Sequence, residues 1–425
     1  MIDIALVNWL QLLKYNNFDG DLWRNRMKYS QKLLLFMALI LLSGLTTSIA
    51  KSLSFQTREN YPSFPDTDNQ TIAVKEDSSQ PKIQIAILLD SSNSMDGLIE
   101  QTRTQIWKIV NALNNVTKNG KNPILEVSLY HYGNNSLPSS EGFNRLLSGF
   151  TTELDLVSEK LFRIKTNGGQ EYAGWVIDSA INQLDWSDHQ ENFRVIFIAG
   201  NEPFNQGSVD WQKSTELASS KDILVNTIYC GDAENQESSL WAQGAYQGKG
   251  SYFNINQNKQ IVSIPTPYDR EISELNQKLN QTYIPYGSQG SIGQQRQLAE
   301  DANAQRNPHT RGGITRAATK SSGYYRNSSW DLVDAVTDKV ADLERLDPNS
   351  LPENMGSMTL EERIEYLQKM KGEREAIQAK IAELSQKRTE YIQKETVNQG
   401  EKDTLDYVMI EALRKQLAAK GFTLN

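Results

Sequence analysis

Apolar residues are spaced in two distinct ways along this chain, and the change from one to the other divides it. From about 81 to 262, short apolar runs alternate with segments in which apolar residues recur every three or four positions. The runs Ile83–Leu89, Ile124–Tyr132, Phe193–Ala199, Ile223–Cys230 and Ser251–Ile255 read as strands; the first lacks strict alternation, as in a strand covered on both faces. Between them, 98–113, 152–164, 171–184, 211–219 and 238–246 read as helices, with Leu154, Val157, Leu161 and Ile164 marking one buried face. This alternation predicts an α/β fold, a doubly wound and mostly parallel sheet.

After Pro265-Thr-Pro267 the strand-like runs stop and Gln, Asn, Lys and Glu rise, which predicts a boundary followed by an α-helical C-terminal region, 263–425. Helices are expected at 272–283, 331–343, 358–396 and 404–420. Residues 288–320, poor in large apolar side chains, read as helical only in part and loosely held. In 358–396 the stripe Leu360, Ile364, Leu367, Met370, Ile377, Ile381, Leu384 and Tyr391 approaches heptad spacing, interrupted by Arg374 and Arg388. It suits either a hairpin with 404–420 or a coiled-coil homo-oligomer. Tyr324, Tyr325 and Trp330 are expected to pack on the α/β part.

The start of the chain has another character. Met27 to Lys32 is basic, Leu33–Leu42 is apolar, and Thr47-Ser-Ile-Ala50 is small, the order of a signal peptide whose start is Met27 rather than Met1. The apolar core is shorter than the ~20 residues a spanning helix needs, so cleavage is expected, with membrane contact only if the segment stays uncleaved. No cysteine follows to carry a lipid. Residues 51–80, rich in Ser, Asn, Asp and Pro, read as a flexible linker. The protein is therefore expected in the periplasm or at the cell surface.

Charge and chemistry narrow the function. Residues 1–50 carry five Lys/Arg and three Asp/Glu, so their removal takes the net charge from −8 to −10, which disfavours nucleic acid. Cys230 is the only cysteine, so no intramolecular disulfide forms. His131, His189 and His309 lie in unrelated segments and build no zinc or triad motif. The candidate chemistry sits where the first strand ends, in Asp90-Ser-Ser-Asn-Ser94: a carboxylate and two hydroxyls, at D-x-S-x-S spacing, supply three oxygen donors of the kind hard cations take. Asp96 and Glu100 follow at a helix start, where the helix dipole accounts for them.

This segment resembles the first metal-site motif of the von Willebrand factor A family, and the resemblance extends over about 81–262. It implies a divalent cation (Mg²⁺, Mn²⁺ or Ca²⁺) at the top of the sheet, with direct ligands Ser92 and Ser94 beside Asp90, oxygens from two later loops, and an acidic residue of a partner protein completing the shell. Two loops depart from the family pattern. Gln170 stands where a threonine is expected in Asn167-Gly-Gly-Gln-Glu171 and is expected to ligate the ion through its amide oxygen, and Gly200 replaces the carboxylate expected after Phe197-Ile-Ala199. Glu202 then joins the expected metal ligands, with Asn201 and Glu171 as further residues that compensate through water, and Asn167, Glu171 and Asn201 are placed to meet a partner. The resemblance implies a non-enzymatic, exported protein-binding or adhesion-type module with a degenerate metal-ion-dependent adhesion site. The alternatives are a metal-dependent hydrolase built on Asp90 and Glu202, and a structural envelope protein that acts through its helical tail.

Overall fold

The computed structural model describes residues 80–256, 263–306, 311–395 and 405–424. The expected signal segment and linker lie outside the described residues. The α/β part runs β1 (Lys82–Asp90), α1 (Asp96–Asn111), β2 (Val116–Thr117), β3 (Ile124–Tyr132), β4 (Asn144–Thr151), α2 (Leu154–Arg163), α3 (Ala173–Gln183), β5 (Phe193–Gly200), α4 (Trp211–Ser220), β6 (Leu224–Tyr229), α5 (Gln236–Gln247) and β7 (Lys249–Asn254). Six strands form one sheet in the order β4-β3-β1-β5-β6-β7, parallel except for β4.

Side-chain alternation along β1 builds both layers at once. Ile83, Ile85, Ile87 and Leu89 face α1, α2 and a helix from the far end of the chain, whereas Ala86 and Leu88 face α3, α4 and α5. Every β1 residue after Lys82 is buried, consistent with a central strand covered on both sides. The chain leaves β1 toward β3 on one side and returns to β5 on the other. The carboxyl ends of β1 and β5 thus flank the switch point where such sheets bind ligands.

Strand β4 was not anticipated. Its sequence, Asn-Arg-Leu-Leu-Ser-Gly-Phe-Thr, is half-buried, and its antiparallel pairing with β3 shifts register twice. Bulges of this kind suit a sheet edge and blur the period-two pattern.

The later helices are α6 (Asp269–Asn280), α7 (Gly290–Gln305), α8 (Gly312–Lys320), α9 (Leu332–Thr337), α10 (Glu353–Gly356), α11 (Leu360–Glu395) and α12 (Leu405–Ala419), followed by β8 (Thr423–Leu424). They make up the α-helical C-terminal region that the composition change predicts. The last of them, α12, lies in the core of the α/β part. Its Leu405, Val408, Met409, Ala412, Leu413 and Leu417 pack with α1 and the sheet. Gln416 exchanges two hydrogen bonds with Asn226 of β6, 3.0 and 2.6 Å long, and β8 pairs with β2. The amphipathic face of α12 therefore closes a sheet layer that the preceding α/β sequence leaves open.

Residues 288–306 and 311–320 are also better ordered than expected, because charged rather than apolar groups hold them. Arg316, fully buried, clasps Asp155 of α2 with both terminal nitrogens and donates from Nε to Asp301 at 2.7 Å. Arg296 Nε donates to Glu159 of α2 at 2.6 Å, and Lys320 Nζ to Asp301 at 3.0 Å. Tyr325 completes the cluster by donating to Asp155, as its expected packing on the α/β part requires. On α11 the interruptions of the apolar stripe find their reason: Arg374 binds Asp331 and Asp334, and Arg388 binds Asp269. Leu367 and Met370 pack in the cluster that contains α9, and Ile381 and Leu384 in the one that contains α6 and α8. The stripe is thus occupied within this chain rather than in a hairpin with α12.

Candidate functional site

Three loops converge beyond the carboxyl ends of β1 and β5. Asp90 closes β1 opposite Tyr132 of β3 and is fully buried. Its Oδ1 accepts the Ser92 amide at 2.8 Å, which bends the chain into the short turn Asn93–Met95 ahead of α1. That turn brings Ser92 Oγ to 3.0 Å from Ser94 Oγ, and Ser94 Oγ donates to Asn201 Oδ1 across the site at 3.3 Å. Asp90, Ser92, Ser94 and Asn201 are thus brought together at one place.

The second loop, 164–172, is pinned to the first. Asn134 Nδ2 donates to Lys165 O at 2.9 Å and to Ser91 O at 3.1 Å, while the Asn167 amide donates to Ser91 O at 3.0 Å. Gly169 approaches so closely that a Cβ there would sit 2.2 Å from Gly133 O, which makes glycine obligatory. Thr166 bonds Asp96 at the start of α1, giving that residue a structural partner.

Gln170 does not reach the centre: it is exposed, and its Oε1 accepts from the Tyr172 hydroxyl. Asn167 is likewise exposed. The next residue, Glu171, is buried and turns inward against Asp90. Gly133, at φ +72°, makes the room; a Cβ there would meet Glu171 Cγ at 2.5 Å and Asp90 Oδ1 at 2.7 Å.

At the third loop, position 200 shows why a carboxylate is absent. A Cβ on Gly200 would stand 2.5 Å from the Tyr132 hydroxyl, 3.1 Å from Trp241 and 3.2 Å from Asp90 Cβ. That hydroxyl occupies the space and donates to Ala199 O at 3.1 Å. Glu202 is partly exposed; its carboxylate accepts from Gln206 at 3.2 Å, and its carbonyl accepts from Trp241 Nε1 at 2.8 Å. Beside it Asn201, Pro203, Tyr229, Asn235 and Glu237 line an open polar hollow of about 320 Å³.

Burial raises the Asp90 carboxyl above the usual carboxylate range, with Glu202 adding repulsion. Burial and then the Asp90 charge raise Glu171 well above it. Asp90 Oδ2 is buried without a hydrogen-bond donor. Two carboxyls placed this way need a shared proton or a cation between them. Among the described residues no three His, Cys, Asp or Glu side chains form an ion-holding group by themselves. The donors on offer are mixed: the Asp90 and Glu171 carboxyls with the Ser92 and Ser94 hydroxyls. That set suits a hard divalent cation, and the orphaned Oδ2 is the observation in favour of one.

One neighbour escaped sequence reasoning, which found no histidine near these loops. His131 Nδ1 lies 3.0 Å from Ser91 Oγ, one residue from Asp90. Burial, aided by Arg145, pulls the imidazole down to about 4, so it is neutral at ordinary pH. Ser91 is fully buried and also bonded to Tyr132 O and Asn134, so the pair braces the loop. The signal was adjacency of β1 and β3, which sequence spacing alone does not give.

The comparison with known families falls on this same region: residues 84–267 match the family described as von Willebrand factor type A domain. Residues 84–267 are a von Willebrand factor type A domain. No curated protein matches the chain. Among solved structures, the SpRpn10 VWA domain is 16% identical, aligned over 42% of this chain and 90% of its own, with a TM-score of 0.33. An aerotolerance-related membrane protein from Bacteroides fragilis is 18% identical over 41% of this chain and 93% of its own, TM-score 0.29. Proximal thread matrix protein 1 of the mussel byssus, solved with its MIDAS motif occupied by zinc, is 13% identical over 41% of this chain and 42% of its own, TM-score 0.32. In this chain the VWA domain is completed by α12, which lies beyond the matched residues.

Proposed function

We propose that the chain is an exported protein-binding module whose VWA domain engages a partner through a divalent cation held at the end of β1. The observation that carries this is the assembly of Asp90, Ser92 and Ser94 at the switch point, with the buried Asp90 Oδ2 left without a donor. A bound Mg²⁺ or Mn²⁺ would neutralise the carboxyls and leave a coordination position for an oxygen of the partner. Ser92 and Ser94 would hold the ion, Asp90 would balance its charge, and Asn201 would orient Ser94.

The surrounding loops carry Glu141, Glu202, Asp210, Asp232 and Glu234 against Lys165. The partner surface around the contact is therefore basic, and association weakens as salt screens it. The hydrolase alternative draws less support. Ser91 and His131 are buried, and burial raises the Cys230 thiol. Export rests on the basic and apolar order of residues 27–50; no described helix is long and apolar enough to cross a membrane.

The test is capture of envelope proteins by the immobilised chain in Mg²⁺ or Mn²⁺, in chelator, and with Asp90→Asn. A partner retained only with cation and only by the native residue supports the reading. Retention indifferent to both refutes it.

A further inference from the structure

Resting on the reading of this site as a cation site, we propose that Glu171 is its second carboxylate ligand, taking the part that neither Gln170 nor position 200 can fill. Three observations converge on it. Position 200 is closed to any side chain by the Tyr132 hydroxyl, so no carboxylate can enter from the end of β5 without repacking. Gln170 points out to solvent and bonds Tyr172. Glu171, only 6% exposed, sits against Asp90 in a recess that exists because residue 133 is a glycine at positive φ.

A purely structural role accounts poorly for this arrangement. Two carboxyls turned toward each other in the interior lose hydration and gain repulsion, and well-packed neutral side chains would serve packing better. Among the described residues neither carboxyl is given an arginine or lysine: Asp90 meets the Ser92 amide at 2.8 Å, the Ser92 side chain and the Glu171 carboxyl itself, a contact that needs a shared proton unless a cation lies between the two. Asp90 Oδ2 has no hydrogen-bond donor. Elsewhere this chain compensates buried carboxylates with buried bases, as at Asp155 and Asp331. At Asp90 and Glu171 the missing positive charge is what a divalent ion supplies. Two carboxylates neutralise it, the Ser92 and Ser94 hydroxyls complete the protein's share, and the ion stays on the solvent side where Ser94 is exposed.

The experiment is titration of Mn²⁺ into the full chain, reading free ion by electron paramagnetic resonance, for the wild type, Glu171→Gln, Asp90→Asn, Ser92→Ala/Ser94→Ala and Gln170→Ala. Melting temperature is measured on each with and without Mn²⁺. The expected result is a loss of affinity of roughly tenfold or more in Glu171→Gln, matching Asp90→Asn, and no change in Gln170→Ala. Without Mn²⁺, Glu171→Gln melts at or above the wild-type temperature, because the amide removes a carboxyl that must otherwise be held against Asp90. With Mn²⁺ the wild type gains stability and the variant does not. A merely structural Glu171 would give the opposite pattern, a lower melting temperature with the Mn²⁺ gain intact. If Glu171→Gln keeps wild-type affinity while Asp90→Asn and the serine variant lose it, the proposal is overturned and the cation reading stands. If the wild type binds no Mn²⁺, both are overturned.

Discussion

Restoring the missing carboxylate by Gly200→Asp should damage the domain instead of strengthening its site. A Cβ at position 200 would stand 2.5 Å from the Tyr132 hydroxyl, with Trp241 and Asp90 at 3.1 and 3.2 Å. The backbone is held there as well, since Gly200 belongs to β5 and its carbonyl accepts the Cys230 amide at 2.8 Å. Forcing atoms into a packed interior costs about 1–3 kcal/mol. A third carboxyl facing Asp90 and Glu171 adds to this, so a loss of about 3 kcal/mol is expected, a fall in melting temperature of roughly 5–10 °C. The assay is thermal unfolding by near-ultraviolet circular dichroism, with Tyr132→Phe and the double variant beside it. Tyr132→Phe alone should lose about 1 kcal/mol with its bond to Ala199 O. It also removes the 2.5 Å contact, so the double variant should be more stable than the sum of the singles by about 1 kcal/mol or more. Strict additivity, or a Gly200→Asp protein as stable as the wild type, would refute the claim that Tyr132 fills the carboxylate's place.

Three further outcomes follow from the packing. A fragment ending before Leu405 loses Leu405, Val408, Met409, Leu413 and Leu417 from the core, at about 1.5–3 kcal/mol each, which approaches the whole stability of a typical domain; residues 81–262 alone should bind ANS and lack near-ultraviolet dichroism, and a native spectrum would contradict the role given to α12. Arg316→Met leaves Asp155 and Asp301 buried without their cation and should cost about 3–5 kcal/mol in urea unfolding, whereas a change below about 1 kcal/mol would show that the cluster does not bind the two parts together. His131 has a folded value of about 4 against 6.5 unfolded, so the unfolded chain binds the extra proton between them. Its contribution is complete above about pH 6.5 and is lost as pH falls toward 4, by at most about 3 kcal/mol. His131→Gln should flatten that limb of the stability profile, and an unchanged limb would refute the assignment.

Much of the α/β architecture was legible because its strands are saturated with β-branched and aliphatic residues. The limits expected for β3 match those observed. Strand β4 was hidden because bulges against β3 break its alternation. Helices α7 and α8 looked weakly held because their buried faces consist of Arg296, Gln297, Glu300, Asp301, Arg316 and Lys320, whose partners are distant in sequence and leave no apolar periodicity. The apolar stripe of α12 was visible, but its destination, a sheet layer begun more than three hundred residues earlier, is a matter of topology. At the site, the D-x-S-x-S spacing was enough to place Asp90, Ser92 and Ser94 on one loop, and their contacts show them side by side; Gly200 was legible as a departure. That Glu171 rather than Gln170 faces inward depends on how two glycine-bearing loops approach each other, which spacing does not encode.

The central claim is that the end of β1 holds a divalent cation. Its most direct test is calorimetric titration of Mg²⁺, Mn²⁺ and Ca²⁺ into residues 51–425, with Ser92→Ala/Ser94→Ala as the comparison. Saturable binding of at least one ion by the native protein, abolished in the variant, is the predicted result. Absence of binding by the native protein, or equal binding by both, would contradict it.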